Sequence, residues 1–337
     1  MVRPLPVPRN LIDFIQTGSK FLIAGHHEPD GDCVGSQLAL TSALKRLGKE
    51  AIPCSAGPFK RTEIVPFADR FKDKIGEPER AGSRVIILDC AAADRTGGLE
   101  GALKGLPTAI IDHHATNREA APETAAFLDT EAPSVTFLVL AVIEALGLTP
   151  TPEEAGFLLF GLCTDTGFFR HVDTGGAETF AYASRMIRAG ANPKNVFQAM
   201  HGGKSLGSRI LLGHILARAE THYGGKLVYS FETYEDTRKF GLEGRDSDSL
   251  YQLLQSIAGV EAIMVIRQES AQDCTVGLRS RDLVNVAEIA ARFGGGGHKN
   301  AAGVKLAGTI EELKPRFIEA FAGQLADGPD GPGGLTA

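Results

Sequence analysis

The sequence predicts an α/β fold in two parts: an N-terminal parallel sheet covered by helices on both faces, and a smaller α/β domain behind it. Three observations carry that reading. Short unbroken apolar runs alternate with helical patterns through the first half, as in strands buried on both faces. A second series of strand and helix patterns restarts near residue 226, after a stretch of helical periodicity. The length of 337 residues is long for one compact core and comfortable for two.

In chain order, Phe21–His27 reads as the first buried strand, and a glycine-containing loop leads to a helix over Gly35–Leu47, stopped by Gly48. Arg84–Cys90 and Thr108–His113 are two further β-rich runs, each ending in polar residues. Helices are expected over Ser134–Leu146 and Pro152–Cys163. The second opens with Thr151-Pro152-Glu153-Glu154, a capping box with proline at the first helical position. Helical periodicity dominates Ala177–Glu220, broken by Asn192-Pro193 and by the glycines around His201, and the domain junction belongs in that stretch. The expected boundaries are 10–200 for the first domain, 201–225 for a linker, 226–325 for the second domain, and 326–337 for a disordered Gly/Pro-rich tail. In the second domain, strands are expected at Lys226–Glu232, Ala262–Gln268, Cys274–Arg279 and Ala301–Leu306. Helices are expected at Ser247–Ile257, Val284–Phe293 and Ile310–Leu325, the last behind a Thr309/Glu312 capping box.

Composition narrows the functional classes. Hydrophobic residues make up 43% of the chain, enough for sizeable cores, yet no apolar run approaches the ~20 residues that cross a bilayer. Met1–Asn10 lacks the apolar segment of a secretory signal. The five cysteines (33, 54, 90, 163 and 274) are odd in number and form no CxxC pair, so reduced thiols and a cytoplasmic location are expected, without a membrane partner. A net charge of −6 argues against tracking along long polynucleotides, which rewards a basic surface. A small anion gripped by a few Arg and His residues remains compatible with it.

The acidic residues and histidines gather where chemistry is expected. His26, Asp30 and Asp32 follow the first strand, Asp89 ends the second, and Asp112, His113 and His114 end the third; Asp165 closes a helix. In an open parallel sheet, groups beyond the carboxyl ends of the strands converge. Carboxylates and imidazoles so gathered would repel or shift their pKa values unless a cation held them. Oxygen donors alone suit Mg²⁺ or Ca²⁺, and added imidazole favours Mn²⁺, Fe²⁺, Co²⁺ or Zn²⁺. The donors suffice for two ions sharing a carboxylate, and an ion pair ~3.5–4 Å apart suits attack on phosphorus by stabilising entering and developing oxygen charge. A single Asp at a strand end is usually a cap or turn residue, and a single His a satisfied core or surface residue. That account fails to explain four such clusters in one half of the chain.

These motifs resemble those of the DHH phosphoesterase family, named for the triplet present here as Asp112-His113-His114. The pattern His-x-x-Pro-Asp-x-Asp-x-x-Gly-Ser is matched by His26, Pro29, Asp30, Asp32, Gly35 and Ser36; Asp89 and Asp165-Thr166-Gly167 match two further motifs. The C-terminal part is similar to the DHH-associated domain, with the GGGGH signature as Gly294–Gly297 and His298, then Ala301, Ala302 and Gly303, and the triplet Leu278-Arg279-Ser280 before it. The resemblance spans roughly residues 10 to 325. It implies one metal on His26, Asp30 and Asp89, and a second on Asp32, Asp89, His113 and Asp165, with Asp89 bridging. It further implies that His114 faces the substrate phosphate, that Asp112 orients a histidine from behind, and that both ions are divalent, Mn²⁺ foremost. Arg279, Ser280, Gly295, Gly296, Gly297 and His298 would hold the nucleotide's far end, the glycines by offering backbone N–H groups to an anion. Arg95 and Arg170 are further phosphate-contact candidates. His27, His171 and His201 match no motif and read as structural, and Cys33, Cys90 and Cys163 as small buried hydrophobes.

Within the family, a processive exonuclease needs additional chain and a basic surface, and manganese pyrophosphatases carry a different C-terminal domain. What remains resembles the oligoribonuclease and pAp (5′-phosphoadenosine 3′-phosphate) phosphatase group. Its substrates would be RNA of 2–5 nucleotides, including linear dinucleotides such as pApA or pGpG, and pAp. Cleavage polarity and oligomeric state stay open, a homodimer included. Two rivals differ in class: a cyclic-dinucleotide phosphodiesterase of the same fold, and a non-catalytic nucleotide-binding regulator. The second has little reason to keep a complete bimetal ligand set.

Overall fold

The computed structural model describes residues 5–114 and 124–325. The chain divides into two compact units, Met1–Gly203 and Lys204–Ala337. The expected disordered tail lies outside the described residues.

In the first unit, five strands, β1 (Lys20–Ala24), β2 (Glu50–Cys54), β3 (Arg84–Leu88), β4 (Thr108–Asp112) and β5 (Ala125–Leu128), form one parallel sheet in the order β2-β1-β3-β4-β5. The side-chain period of two assigns each strand residue to a layer. Phe21, Ile23, Ile86, Leu88, Ala109 and Ile111 join the larger core with the helices Gly31–Arg46, Val135–Ala145 and Pro152–Asp165. Leu22, Ala24, Val85, Ile87 and Ile110 face a second core closed by Leu99 and Leu103. Both faces are therefore buried, as the unbroken apolar runs require. The sequence pattern missed β2 because Pro53 interrupts it; β2 is an edge strand, where a missing N–H is tolerated.

Two helices in this unit meet at glycines. A Cβ at Gly35 would stand 2.5 Å from the Phe157 carbonyl oxygen, and one at Gly161 would stand 2.5 Å from Thr136 Cγ2 and 2.9 Å from Asp32 Oδ1. This close approach sets the end of Pro152–Asp165 beside the start of Gly31–Arg46. The Thr151 capping box is formed, Thr151 Oγ1 accepting from the Glu154 amide at 3.2 Å and Glu154 Oε2 from the Thr151 amide at 2.8 Å.

The second unit holds a six-stranded mixed sheet: β6 (Glu220–His222), β7 (Leu227–Glu232), β8 (Ala262–Gln268), β9 (Asp273–Ser280), β10 (Gly296–His298) and β11 (Ala301–Ala307), in the order β10-β11-β9-β8-β7-β6. Only β7 and β8 pair in parallel. Helices Val286–Ala291 and Ile310–Leu325 cover one face, and Leu206–Ala217 and Ser247–Gln255 pack on the other. Residues 201–225, expected as a linker, thus contain a helix and a strand. Leu211 and Ile215 of that helix are buried against Val228 and Val265, so its amphipathic stripe belongs to the second core.

Candidate metal centre

The order β2-β1-β3-β4-β5 reverses its winding between β1 and β3, and a crevice outside the strand ends is expected there. His26 lies just beyond β1, Asp89 just beyond β3, and Asp112-His113-His114 at the end of β4. The helix expected from Gly35 begins at Gly31, because Asp30 caps it, its Oδ1 accepting from the amides of Asp32 and Cys33 at 3.1 Å each. Asp32 is consequently in the first helical turn, fully buried. It caps a different helix from across the sequence: Oδ2 accepts from the Val135 amide at 2.6 Å and Oδ1 from the Thr136 amide at 3.1 Å.

Asp89 occupies the middle. Its backbone is left-handed (φ 61°), a conformation costing a non-glycine residue ~1–3 kcal/mol and retained where the surroundings enforce it. One carboxylate oxygen lies 3.4 Å from His26 Nε2; the other lies 3.7 Å from His113 Nε2 and 3.6 Å from His114 Nδ1. Asp30 Oδ1 is 3.8 Å from His26 Nε2, and Asp165 Oδ2 and Asp32 Oδ2 are 3.3 and 4.0 Å from His113 Nε2. All six expected ligands therefore converge in two groups that share Asp89.

The imidazoles are set for this by their other nitrogens. His26 Nδ1 donates to the His27 carbonyl at 2.9 Å, and His113 Nδ1 to the Ala132 carbonyl at 3.0 Å. Each leaves Nε2 directed at carboxylates, the arrangement of a ligating histidine steadied from behind.

The electrostatics favour a cation there. Burial raises Asp32, with Asp89 and Asp165 adding to it, and burial likewise raises Asp89. Burial, Asp89 and Asp30 push Asp165 up to about 7. Burial would raise Asp30 too, yet His26, the Cys33 amide and Arg61 hold it down at about 2. Burial would lower His26, but the Asp30 and Asp89 carboxylates keep it well above the usual imidazole range. These buried acids compete for positive charge, and Asp89 Oδ1 is buried without a hydrogen-bond partner among the described residues. A mixed carboxylate–imidazole donor set with an orphaned buried oxygen at its centre fits divalent metal ions.

Residues 20–162 match the family model described as DHH family, N-terminal domain, and residues 224–327 match the DHHA1 domain. A Thermus thermophilus protein named bifunctional oligoribonuclease and PAP phosphatase NrnA is 32% identical over 304 residues, covering 90% of this chain and 89% of its own. The chain belongs to the DHH family. As a DHH phosphoesterase it is a hydrolase. Its fold is that of an exopolyphosphatase-related protein from Bacteroides fragilis (TM-score 0.77, 22% identity, covering 96% of this chain and 99% of that one). It also matches exonuclease RecJ bound to manganese (TM-score 0.53, 16% identity, covering 98% and 97%).

Within the DHH triplet the three side chains divide the work. His113 faces the acids. Asp112, fully buried, accepts His114 Nδ1 at 2.8 Å and the amides of His113 and His114 at 2.8 and 3.2 Å, so the histidine it orients is His114. Asp112 in turn raises His114, whose ring is half exposed.

In the DHHA1 part, directly paired residues share a sheet face, and His298, Ala301 and Arg279 form one row across β10, β11 and β9. This face bounds a cavity of about 610 Å³ whose lining includes Tyr251, Arg267, Gly277, Arg279, Gly303 and Lys305. The Arg279 guanidinium stacks 4.4 Å from the Tyr251 ring centroid. Ser280 must be withdrawn from this group. One residue past Arg279, it points to the opposite face, buried, where it donates to the Lys299 carbonyl at 3.3 Å. Gly295 and Gly297 are glycines for packing, since a Cβ on either would stand 2.4 Å from a β11 carbonyl oxygen, whereas Gly296 has open space above it.

Arg95 and Arg170 are exposed; the Arg95 carbonyl braces the His27 amide at 2.7 Å, and Arg170 Nε donates to His171 at 3.1 Å. The cation whose charge reaches Asp30 and Asp165 is Arg61, which no motif marks. Cys33, expected only to fill space, places its Sγ beside His26 and Asp89. Cys33 sits inside the first motif beside Asp32, whereas Arg61 reaches the site only through the fold.

Proposed function

We propose that this protein hydrolyses very short oligoribonucleotides of 2–5 nucleotides, linear dinucleotides included, to mononucleotides, and pAp to AMP, using two divalent metal ions with Mn²⁺ preferred. The observation that carries the reading is the pair of ligand groups joined at Asp89. His26, Asp30 and Asp89 would hold one ion, and Asp32, Asp89, His113 and Asp165 the other. Bound there, the ions would supply Lewis-acid stabilisation of charge on the phosphoryl oxygens and activation of water.

The chain's own groups do the rest. Asp112 fixes the ring of His114 and favours its protonated form, so His114 can present an N–H to a phosphoryl oxygen or leaving group. Arg61 adds positive charge felt by Asp30 and Asp165. Arg279 and His298, on one face of the second sheet, are assigned to binding the nucleotide's far end, with Arg279 offering two parallel donors to phosphate. The short-substrate reading is supported by near full-length similarity to the NrnA relative and by the net charge of −6.

The test is a substrate panel: purified protein and Mn²⁺ with pAp, 2- to 5-mers, a 24-nucleotide strand and cyclic dinucleotides. Rates should be highest on di- to tetranucleotides. Equal rates on the dimer and the 24-nucleotide strand would refute the length preference. Preferential cleavage of the cyclic compounds would select the cyclic-dinucleotide reading, and binding without any turnover the regulator.

A further inference from the structure

We propose that the first unit carries a second ligand site, separate from the metal centre, that takes a nucleoside monophosphate. The site is a cleft of about 590 Å³ along the C-terminal half of helix Gly31–Arg46, within the size range of small-molecule pockets. Leu38, Thr41, Ser42 and Lys45 line it at helical spacings of three and four, so they form one stripe. Pro53, Arg70 and Phe157 belong to the rest of its wall. No proposed metal ligand lines it, and Thr41 lies nine residues, roughly 13 Å of helix, beyond Asp32.

Three features define the ligand. The first is charge: Lys45, Arg46 and Arg70 lie at the cleft, in a chain whose net charge is −6. Arg46 is neutralised by buried Glu154 at 2.7 Å, and Arg70 reaches Glu153 at 3.1 Å across exposed side chains, a pairing an incoming phosphate could displace. The second is an apolar wall, Leu38, Pro53 and the Phe157 ring, over which Arg70 sits 5.4 Å from the centroid. A ligand that is only an anion leaves that wall unused. The third is Thr41, a lining residue 4% exposed, whose buried hydroxyl has no hydrogen-bond partner among the described residues. A buried hydroxyl left unpaired is costly unless something completes it. An anionic group, an apolar group and a hydrogen-bonding group in one ligand describe a nucleotide.

The experiment titrates the full-length, Mn²⁺-loaded chain by calorimetry with AMP, adenosine and inorganic phosphate, and AMP binding is read whether or not the chain hydrolyses RNA. Wild type and Arg279→Ala should both show an AMP site that Lys45→Ala/Arg70→Ala weakens at least tenfold, with hydrolysis rates at low product unchanged in the latter. Thr41→Val should weaken AMP several-fold while leaving the melting temperature equal or higher, the opposite of a packing defect. Adenosine and phosphate should each bind at least tenfold more weakly than AMP. AMP stoichiometry and affinity unmoved by Lys45→Ala/Arg70→Ala would overturn the site, and phosphate binding as tightly as AMP would overturn the nucleotide assignment.

Discussion

Replacing Asp165 by Asn should stabilise the metal-free protein and destabilise the metal-loaded one. In the fold, burial and the neighbouring Asp89 and Asp30 carry Asp165 from its ordinary 3.8 up to about 7. Because the folded-state value is raised, the fold prefers the neutral acid. Its stability is complete below pH 3.8 and is lost as pH rises through 7. At 1.36 kcal/mol per pKa unit, that interval corresponds to about 4 kcal/mol. The side chain is 23% exposed, and halving the figure for solvent screening leaves about 2 kcal/mol. Asn carries no charge at any pH and escapes the loss. The assay is thermal unfolding after exhaustive chelation, at pH 4 and pH 8. At ~2–4 °C per kcal/mol for a unit of this size, Asp165→Asn should melt about 4–8 °C above wild type at pH 8 and close to it at pH 4. With saturating Mn²⁺ at pH 8 the order should invert, since wild type gains ~2.7 kcal/mol at a hundred times Kd and the variant has lost a ligand. A chelated variant no more stable than wild type at pH 8 would mean the acids are not in electrostatic conflict, and the case for a cation between them would fall.

Four further outcomes follow from the same geometry. Asp89→Asn should abolish turnover while far-UV circular dichroism stays native, because the shared position serves both ligand groups; near-wild-type rates would misassign it. Activity should disappear on chelation and return more fully with Mn²⁺ than with Mg²⁺, given the imidazoles in both groups; a chelated enzyme at full rate would contradict this. Arg279→Ala and His298→Ala should mainly raise KM on short substrates, by about 10- to 150-fold for ~1.5–3 kcal/mol of lost charge-assisted contact, without changing metal content. Gly277→Ala should mimic Arg279→Ala, since its Cβ would lie 1.9 Å from the Tyr251 hydroxyl and must displace the ring on which Arg279 stacks; an unchanged KM there would show that the stacking is dispensable.

The sequence by itself determined the class of the first domain and which carboxylates and imidazoles gather beyond its strand ends. Short apolar runs of strand length, closed by polar residues, read as strands buried on both sides, and that pattern is local. The Thr151 and Thr309 capping boxes were readable for the same reason, their partners lying three residues apart. The tertiary structure decided everything that depends on distant segments meeting. It decided that Asp32 caps the helix beginning at Val135, 103 residues on, and that Gly35 and Gly161 are glycines because two helices cross at van der Waals contact. It decided that Asp112 serves His114 while a carbonyl at Ala132 serves His113, since both histidines follow Asp112 too closely in sequence to be told apart. It separated Ser280 from Arg279, because the strand register, fixed by pairing with β8 and β11, sends adjacent residues to opposite faces. Arg61 entered the site only through the fold: charge acts through space, and a motif records only neighbours along the chain.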